Sequence, residues 1–159
     1  MKMVNRIITF LLLLFVTQSL PSQIQREFGG FELGRSTKKE VTESLESQGI
    51  KFEHMAIGVL LMGVNYDNIS WTSMGLMFDI MNKNKLFEVR FLKFMEPSEL
   101  RQFYETTGAM LKSKYGKYYV EEESNPDKVY FRDDKTDLWI EYTTQVMECV
   151  EVVYHNRNK

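Results

Sequence analysis

Few side chains in this sequence can do covalent or acid–base chemistry: there is one cysteine, Cys149, and there are two histidines, His54 and His155. A catalytic thiol needs a partner that lowers its pKa. Cys149 lies in the strand-like run Met147-Glu-Cys-Val-Glu-Val-Val-Tyr154, which reads as packing, and His155 stands close to a terminus expected to fray. Glu53 and His54 are neighbours of the kind that make a surface pair. The carboxylates cluster at Glu121, Glu122, Glu123 and Asp127, and again at Asp133, Asp134 and Asp137. Both groups straddle turns, and neither has the alternating ligand spacing of a calcium loop. Ten methionines, eight of them beyond residue 22, raise the question of soft-metal binding. They are spread along the chain instead of clustered, which fits gap-filling or an adhesive surface better. No nucleophile elbow, phosphate-binding loop or paired histidine spacing is present, and Gly29-Gly30 reads as a turn. The sequence therefore gives no catalytic residue, no metal ligand set and no cofactor site, and the expectation is a protein that is not an enzyme.

The first 22 residues carry an address. Lys2 and Arg6 form a positive start, Ile7 to Val16 is apolar except for Thr9, and Thr17-Gln-Ser-Leu-Pro-Ser22 supplies small residues for cleavage. The apolar stretch is about half the ~20 residues a membrane span needs, so a cleaved signal peptide (residues 1–22) is the expectation. Cys149 is far from the cleavage region, which closes the route of lipidating a cysteine at the mature N-terminus. The product is expected in the periplasm or outside the cell, with no stable membrane anchor.

Cutting after Ser22 leaves 137 of the 159 residues, enough for one domain with its own core and no need of disulfides. Without Lys2 and Arg6 the basic count falls from 20 to 18 against 22 acidic groups, a net charge of −4. Polyanion binding requires a basic patch, and the longest basic cluster, Lys112 to Lys117, surrounds a helix end where positive charge complements the dipole. Nucleic acid is therefore not an expected partner.

The elements follow from periodicity. Thr37 and Glu40 form a capping box ahead of Val41 and Leu45, and Gly49-Ile50 is a stop, which predicts a short helix over Thr37 to Gln48. Gly58 to Tyr66 and Ser70 to Met74 read as strands around an Asp67-Asn68 turn. Leu76, Phe78 and Ile80 alternate with polar positions or Met, Asn82-Lys-Asn-Lys85 supplies a turn, and Phe87, Val89 and Phe91 alternate with Glu88 and Arg90, which predicts a hairpin. Pro97 opens a second helix whose Leu100, Phe103, Tyr104, Thr107, Leu111 and Tyr115 share one face, ended by Gly116. Strands return at Tyr118 to Glu122, Val129 to Arg132, Leu138 to Thr143 and Met147 to Tyr154. A helix, a glycine and an antiparallel meander thus occur twice, over about 31–95 and 96–155. The fold class expected is α+β: a two-layer domain over 23–159 with one antiparallel sheet and both helices on one face.

The run Leu33-Gly34-Arg35-Ser36-Thr37-Lys38-Lys39-Glu40-Val41 resembles the entry to helical units in small outer-membrane-assembly lipoproteins of the SmpA/OmlA (BamE) type. The tandem order of helix and meander, with the helix end Leu111-Lys-Ser-Lys-Tyr-Gly116 followed by a strand pair and a Trp-bearing strand, is similar to the β-lactamase inhibitor protein. The resemblance implies this fold and, for function, protein binding on a sheet face. It carries over no functional residue, because the lipidated cysteine of the first family and the disulfides of the second are absent here.

If Phe87, Val89, Phe91, Leu138, Ile140 and Tyr142 face the helices, then Met77, Met81, Arg90, Leu92, Phe94, Tyr130, Trp139 and Glu141 face the other way. A solvated sheet face should be polar, and this one is aromatic and Met-rich, the composition of protein-binding surfaces, unless an N-terminal segment or an edge loop covers it. The expectation is a secreted, non-catalytic binding domain of the Gram-negative cell envelope that holds an envelope protein through Met77, Met81, Arg90, Leu92, Phe94, Tyr130 and Trp139. The alternatives are an envelope enzyme using carboxylates or His54, and a structural protein whose sheet faces pair. Mass spectrometry of the exported protein should find its N-terminus close to Gln23, and recovery of the full-length chain in the inner membrane would contradict the signal peptide.

Overall fold

The computed structural model describes residues 23–144 and 147–157, so the expected signal peptide lies outside the described residues. A small hairpin comes first, β1 (Glu27–Phe28) and β2 (Phe31–Glu32), turning through Gly29 and Gly30. Helix α1 (Lys38–Ser47) follows, then four strands: β3 (Glu53–Met55), β4 (Gly58–Tyr66), β5 (Ile69–Asp79) and β6 (Lys85–Lys93). Helix α2 (Pro97–Tyr115) leads through two 3₁₀ turns (Gly116–Tyr118 and Glu121–Glu123) to β7 (Lys128–Arg132), β8 (Thr136–Thr143) and β9 (Cys149–Asn156). The seven long-range strands form one sheet of order β3-β4-β5-β6-β9-β8-β7, antiparallel at every pairing.

That order is two meanders joined by their last strands. β3 to β6 run outward to inward in the first unit, β7 to β9 do the same in the second, and β6 pairs with β9 at the centre in the register Phe91↔Val152 and Val89↔Tyr154. The helices and the sheet make the two-layer α+β arrangement, with the core between them.

Local chemistry sets the element ends. The amide of Glu40 donates to Thr37 Oγ1 (3.3 Å) and the amide of Thr37 donates to Glu40 Oε2 (2.8 Å), closing the capping box and holding the Glu40 carboxyl below its ordinary value. At the other end Ile50 donates to Leu45 O (2.9 Å) and Gly49 to Glu46 O (3.0 Å), with Gly49 at φ +67°, a complete Schellman motif. Gly116 behaves differently: at φ −54° it is right-handed, and the chain tightens into a 3₁₀ turn instead of reversing. Two hairpins turn on pairs of left-handed residues, Asp67-Asn68 and Lys83-Asn84, whose twist matches that of the flanking strands.

Several expectations are corrected. Ser70 to Met74 and Leu76 to Asp79 belong to one eleven-residue strand, and the turn begins at Ile80, which is therefore out in solvent at 60 % exposure and not in the core. A bulge lies opposite Met77, where Phe87 and Glu88 both face a single partner residue. It moves Leu86 into the core and Phe87 out of it, so Phe87 does not face the helices. The segment Tyr118 to Glu122 is not a strand: the Val120 amide donates to Tyr130 O (2.9 Å) and the Tyr130 amide to Ser124 Oγ (3.0 Å), so residues 121–123 must loop out between those two anchors. That segment covers the outer edge of β7.

The N-terminal segment packs on the helix side. Phe28 stands against Tyr66, Phe91 and Tyr154 with ring centroids 5.6, 6.1 and 4.7 Å apart, and Ile24, Phe31 and Leu33 enter the same core. Phe91, fully buried, also stacks on Tyr66 (4.6 Å) and packs against Trp71 (5.4 Å), so it links the N-terminal hairpin, β4, β5 and β9. Truncation to Phe91→Ala should therefore cost about 3–5 kcal/mol in chemical denaturation, and a loss under about 1 kcal/mol would contradict this placement of the ring.

Candidate functional site

Cross-strand register places the side chains of the helix-free face in rows. One row is Gly75, Arg90, Val153, Trp139 and Tyr130 on β5, β6, β9, β8 and β7. A second holds Met77, Glu88, His155, Asp137 and Arg132, and a third Ser73, Leu92, Glu151, Glu141 and Lys128. Five of the expected residues thus share one face: Arg90, Trp139 and Tyr130 in a single row, with Met77 and Leu92 in the rows on either side. Arg90 and Trp139 are two strands apart, roughly 10 Å. Phe94 lies one residue past β6 and is half-buried, its amide donating to Thr72 Oγ1 (3.0 Å). Met81 is not on the face. It sits in the β5–β6 turn at 94 % exposure, because β5 ends at Asp79 and the Asp79 carboxylate takes the Met81 amide (3.0 Å).

The part of the face on β6, β9, β8 and β7 is a lattice of paired charges. Arg90 bridges Glu88 (2.9 Å) and Glu151 (3.0 Å), whose side chains are only 11 % and 14 % exposed. Lys128 meets Glu141 (3.2 Å), and Arg132 meets Asp137 (2.8 Å) and Glu123 (2.7 Å). Burial alone would raise the Glu88 carboxyl, but its hydrogen bond with His155 and the adjacent Arg90 charge outweigh this and hold it below the ordinary value. Glu151 goes the other way: burial raises it, and Arg90, opposed by Glu141 and Glu88, does not compensate.

These charges are laid over the aromatic residues. Tyr130 and Trp139 lie parallel at 9° with centroids 6.0 Å apart, Lys128 Nζ is 5.0 Å from the Trp139 ring, and Arg132 is 5.1 Å from the Tyr130 ring. Tyr130 is buried and Trp139 half-buried, so the aromatic pair is less open than the sequence led us to expect, and Val153 beneath is fully buried.

The half on β4 and β5 is apolar. Met62 is 60 % exposed. Met77 Sδ and Met55 Cε converge over Gly58, where an added Cβ would stand 2.5 Å from the Leu76 carbonyl oxygen. Glycine at that position lets the β3–β4 turn close against β5. Both helices and the N-terminal hairpin lie on the opposite side, so among the described residues the face carries only its own side chains and the bordering turns.

The residues considered for chemistry do not converge. Cys149 is buried, and burial, aided by Glu151, raises its thiol above the ordinary value, the opposite of nucleophilic activation. His54 is exposed on the edge strand, packed edge-on against Phe52 at 5.1 Å. His155 does not fray: it is the seventh residue of β9, with Nδ1 3.3 Å from Glu88 Oε2. Among the described residues no three His, Cys, Asp or Glu side chains gather as a metal site would require. Sequence reasoning missed Glu88 and Glu151 as the clamps on Arg90, and it missed His155. The alternation of Glu88, Arg90 and Leu92 placed them on one face, but only the β6–β9 register brings Glu151 and His155 beside them.

No protein-family model, no curated protein and no solved structure matches the chain.

Removing the Arg90 guanidinium leaves two sheltered carboxylates without their cation. Because Arg90 itself is 41 % exposed, the loss is discounted for solvent from the 3–5 kcal/mol of a fully buried pair to about 1–3 kcal/mol at neutral pH. Glu88, held low in the parent, stabilises the fold above its unfolded pKa and loses that contribution as pH falls. In Arg90→Ala both carboxyls rise, so protonation relieves the variant. Its deficit against the parent should shrink on acidification from about pH 7 to about pH 4, and a deficit that stays constant or grows in a pH series of denaturation curves would contradict the clamp.

Proposed function

We propose that this is a secreted, non-catalytic binding domain of the bacterial cell envelope that holds a partner protein on its helix-free sheet face. The observation that carries this reading is the asymmetry of the sheet. One face is covered by two helices and a hairpin, while the other bears half-buried Trp139, Leu92 and Met77 and exposed Met62 with only side chains over it. A sheet face left to water should alternate to polar residues. Here the charges are spent on one another, Arg90 on two glutamates and Lys128 and Arg132 on theirs. Pre-paired charges bring no large desolvation gain to a contact but fix its orientation, while the apolar half supplies the burial.

The signal-like N-terminus and the tandem helix-and-meander order, which resembles envelope proteins that bind other proteins, support the same reading. The enzyme alternative is the weaker one: the titratable side chains of the face are locked in ion pairs, and His54 and Cys149 stand apart on β3 and β9. The test is capture from envelope extract by the tagged mature protein, compared with Met62→Glu and Trp139→Ala, one substitution in each half of the face. Met62→Glu should keep a melting temperature close to the parent's, Trp139→Ala should stay folded with a lowered one because it loses the stack on Tyr130, and both should lose most of the captured partner, since truncating an anchor costs about 2 kcal/mol or more of binding. Folded variants that capture at full strength would overturn the assignment of this face.

A further inference from the structure

Lysines from two distant segments of the sequence meet in space at the start of α1. The β5–β6 hairpin turns on Lys83 and Asn84, left-handed at φ +54° and +52°, with the Lys85 amide donating to Asn82 O (3.1 Å). Backbone bonds fasten that turn to the entry of the helix: the Lys38 amide donates to Asn84 O (2.9 Å), the Leu86 amide to Ser36 O (2.7 Å) and the Gly34 amide to Leu86 O (2.7 Å). Lys38, Lys39 and Lys83 therefore line one open hollow of about 510 Å³, with Thr42 of α1, His54 of β3 and Asn84 around it. Main-chain geometry, and not the reach of flexible side chains alone, brings the three together.

Among the described residues no carboxylate lines this hollow, and the acidic groups nearest to it are engaged or turned away. Glu40 accepts from the Thr37 amide (2.8 Å) and hydroxyl (3.0 Å) and lines a separate hollow with Glu32 and Arg35. Glu53 points to the opposite face of β3 from His54. Asp79 stands across the hairpin from Lys85 and lines the cleft beside Ile80. Glu43 alone touches one of the three lysines, at 3.7 Å from Lys39 Nζ with both side chains well exposed, and such a pair contributes little. Lys38 and Lys83 have no ion pair among the described residues. Three ammonium groups against one loosely held carboxylate leave a surplus of positive charge that the fold does not neutralise.

We propose that this hollow binds a phosphate monoester, its phosphoryl group held among the ammonium groups of Lys38, Lys39 and Lys83. A phosphate monoester carries close to two negative charges at neutral pH and three terminal oxygens, so it can meet three cations that approach from two elements. A carboxylate or a phosphodiester brings a single charge and leaves most of the surplus in place. The hollow is also larger than a bare phosphate, which leaves Thr42, His54 and Asn84 for the esterified group. Soluble phosphate esters and the headgroup of phosphatidic acid both present this chemistry.

Methyl phosphate at low ionic strength, where exposed charges are least screened, is the probe, with dimethyl phosphate as the singly charged counterpart. Saturable shifts of the Thr42, Lys83 and Asn84 amide resonances are expected with methyl phosphate, and much weaker binding with dimethyl phosphate. Lys38→Gln combined with Lys83→Gln, one lysine from each element, should weaken methyl phosphate about tenfold with parent-like circular dichroism, and Glu43→Gln, which frees Lys39, should tighten it about twofold. Lys112→Gln combined with Lys117→Gln, in the longest basic run of the sequence, should leave the affinity unchanged. Co-sedimentation with phosphatidylcholine vesicles containing phosphatidic acid, lost in the Lys38 and Lys83 variant, assigns a lipid headgroup, and saturable methyl phosphate shifts without vesicle binding assign a soluble ester. No saturable shift in the parent, an unchanged affinity in the Lys38 and Lys83 variant, or an equal loss in the Lys112 and Lys117 variant would overturn the site. Equal affinity for dimethyl phosphate would overturn the monoester assignment. The hollow lies at the start of α1, on the helix side of the sheet, so none of these outcomes depends on whether the opposite face holds a protein.

Discussion

The architecture depends on the pairing of β6 with β9. Each unit by itself is a helix beside a meander with an open last strand. Joining the two last strands antiparallel satisfies both edges at once and merges two small sheets into one. The same register stacks Phe91 against Val152 and Val89 against Tyr154 under the helices, so the central pairing is also the centre of the core. With the helices and the N-terminal hairpin all on that side, the opposite face is left without a covering layer.

The chemistry of that face follows from the same pairing. Arg90 on β6 reaches Glu151 on β9, and Glu88 on β6 reaches His155 on β9, so the charge lattice is stitched across the junction of the units. Two further cations, Lys128 and Arg132 on β7, lie over the Trp139 ring of β8 and the Tyr130 ring of β7. The result is a face in two parts. A polar part is rigidified by its own ion pairs, and a methionine-rich part on β4 and β5 can adapt to what it meets.

Much of the fold could be read from local signals. Thr37 with Glu40 located α1, Pro97 with the apolar stripe from Leu100 to Tyr115 located α2, and Asp67-Asn68 marked a turn whose left-handed residues the structure confirms. The failures lie where a segment's conformation is decided by distant partners. Alternation from Leu76 to Ile80 carried no mark of where the strand would end, and the bulge at Phe87 arises from pairing with β5; its only trace in the sequence is two adjacent apolar residues, Leu86 and Phe87. Tyr118 to Glu122 has strand-like composition but is bent by its bonds to Tyr130 and Ser124. For the candidate site, alternation placed Met77, Arg90, Leu92, Tyr130 and Trp139 on one face correctly. It could not show that Lys128 would lie over the Trp139 ring, since the β7–β8 register is a tertiary property.

The central claim is that the helix-free face is the working surface, and hydroxyl-radical footprinting measures it directly. Oxidation rates of individual side chains would be compared for the purified mature protein and for the same protein in envelope extract. Protection should fall on Met62, Met77 and Trp139, with Met95 and Met110 on the helix side unchanged. Protection confined to Met95, Met110 and their neighbours, with the face oxidised as in the isolated protein, would contradict it.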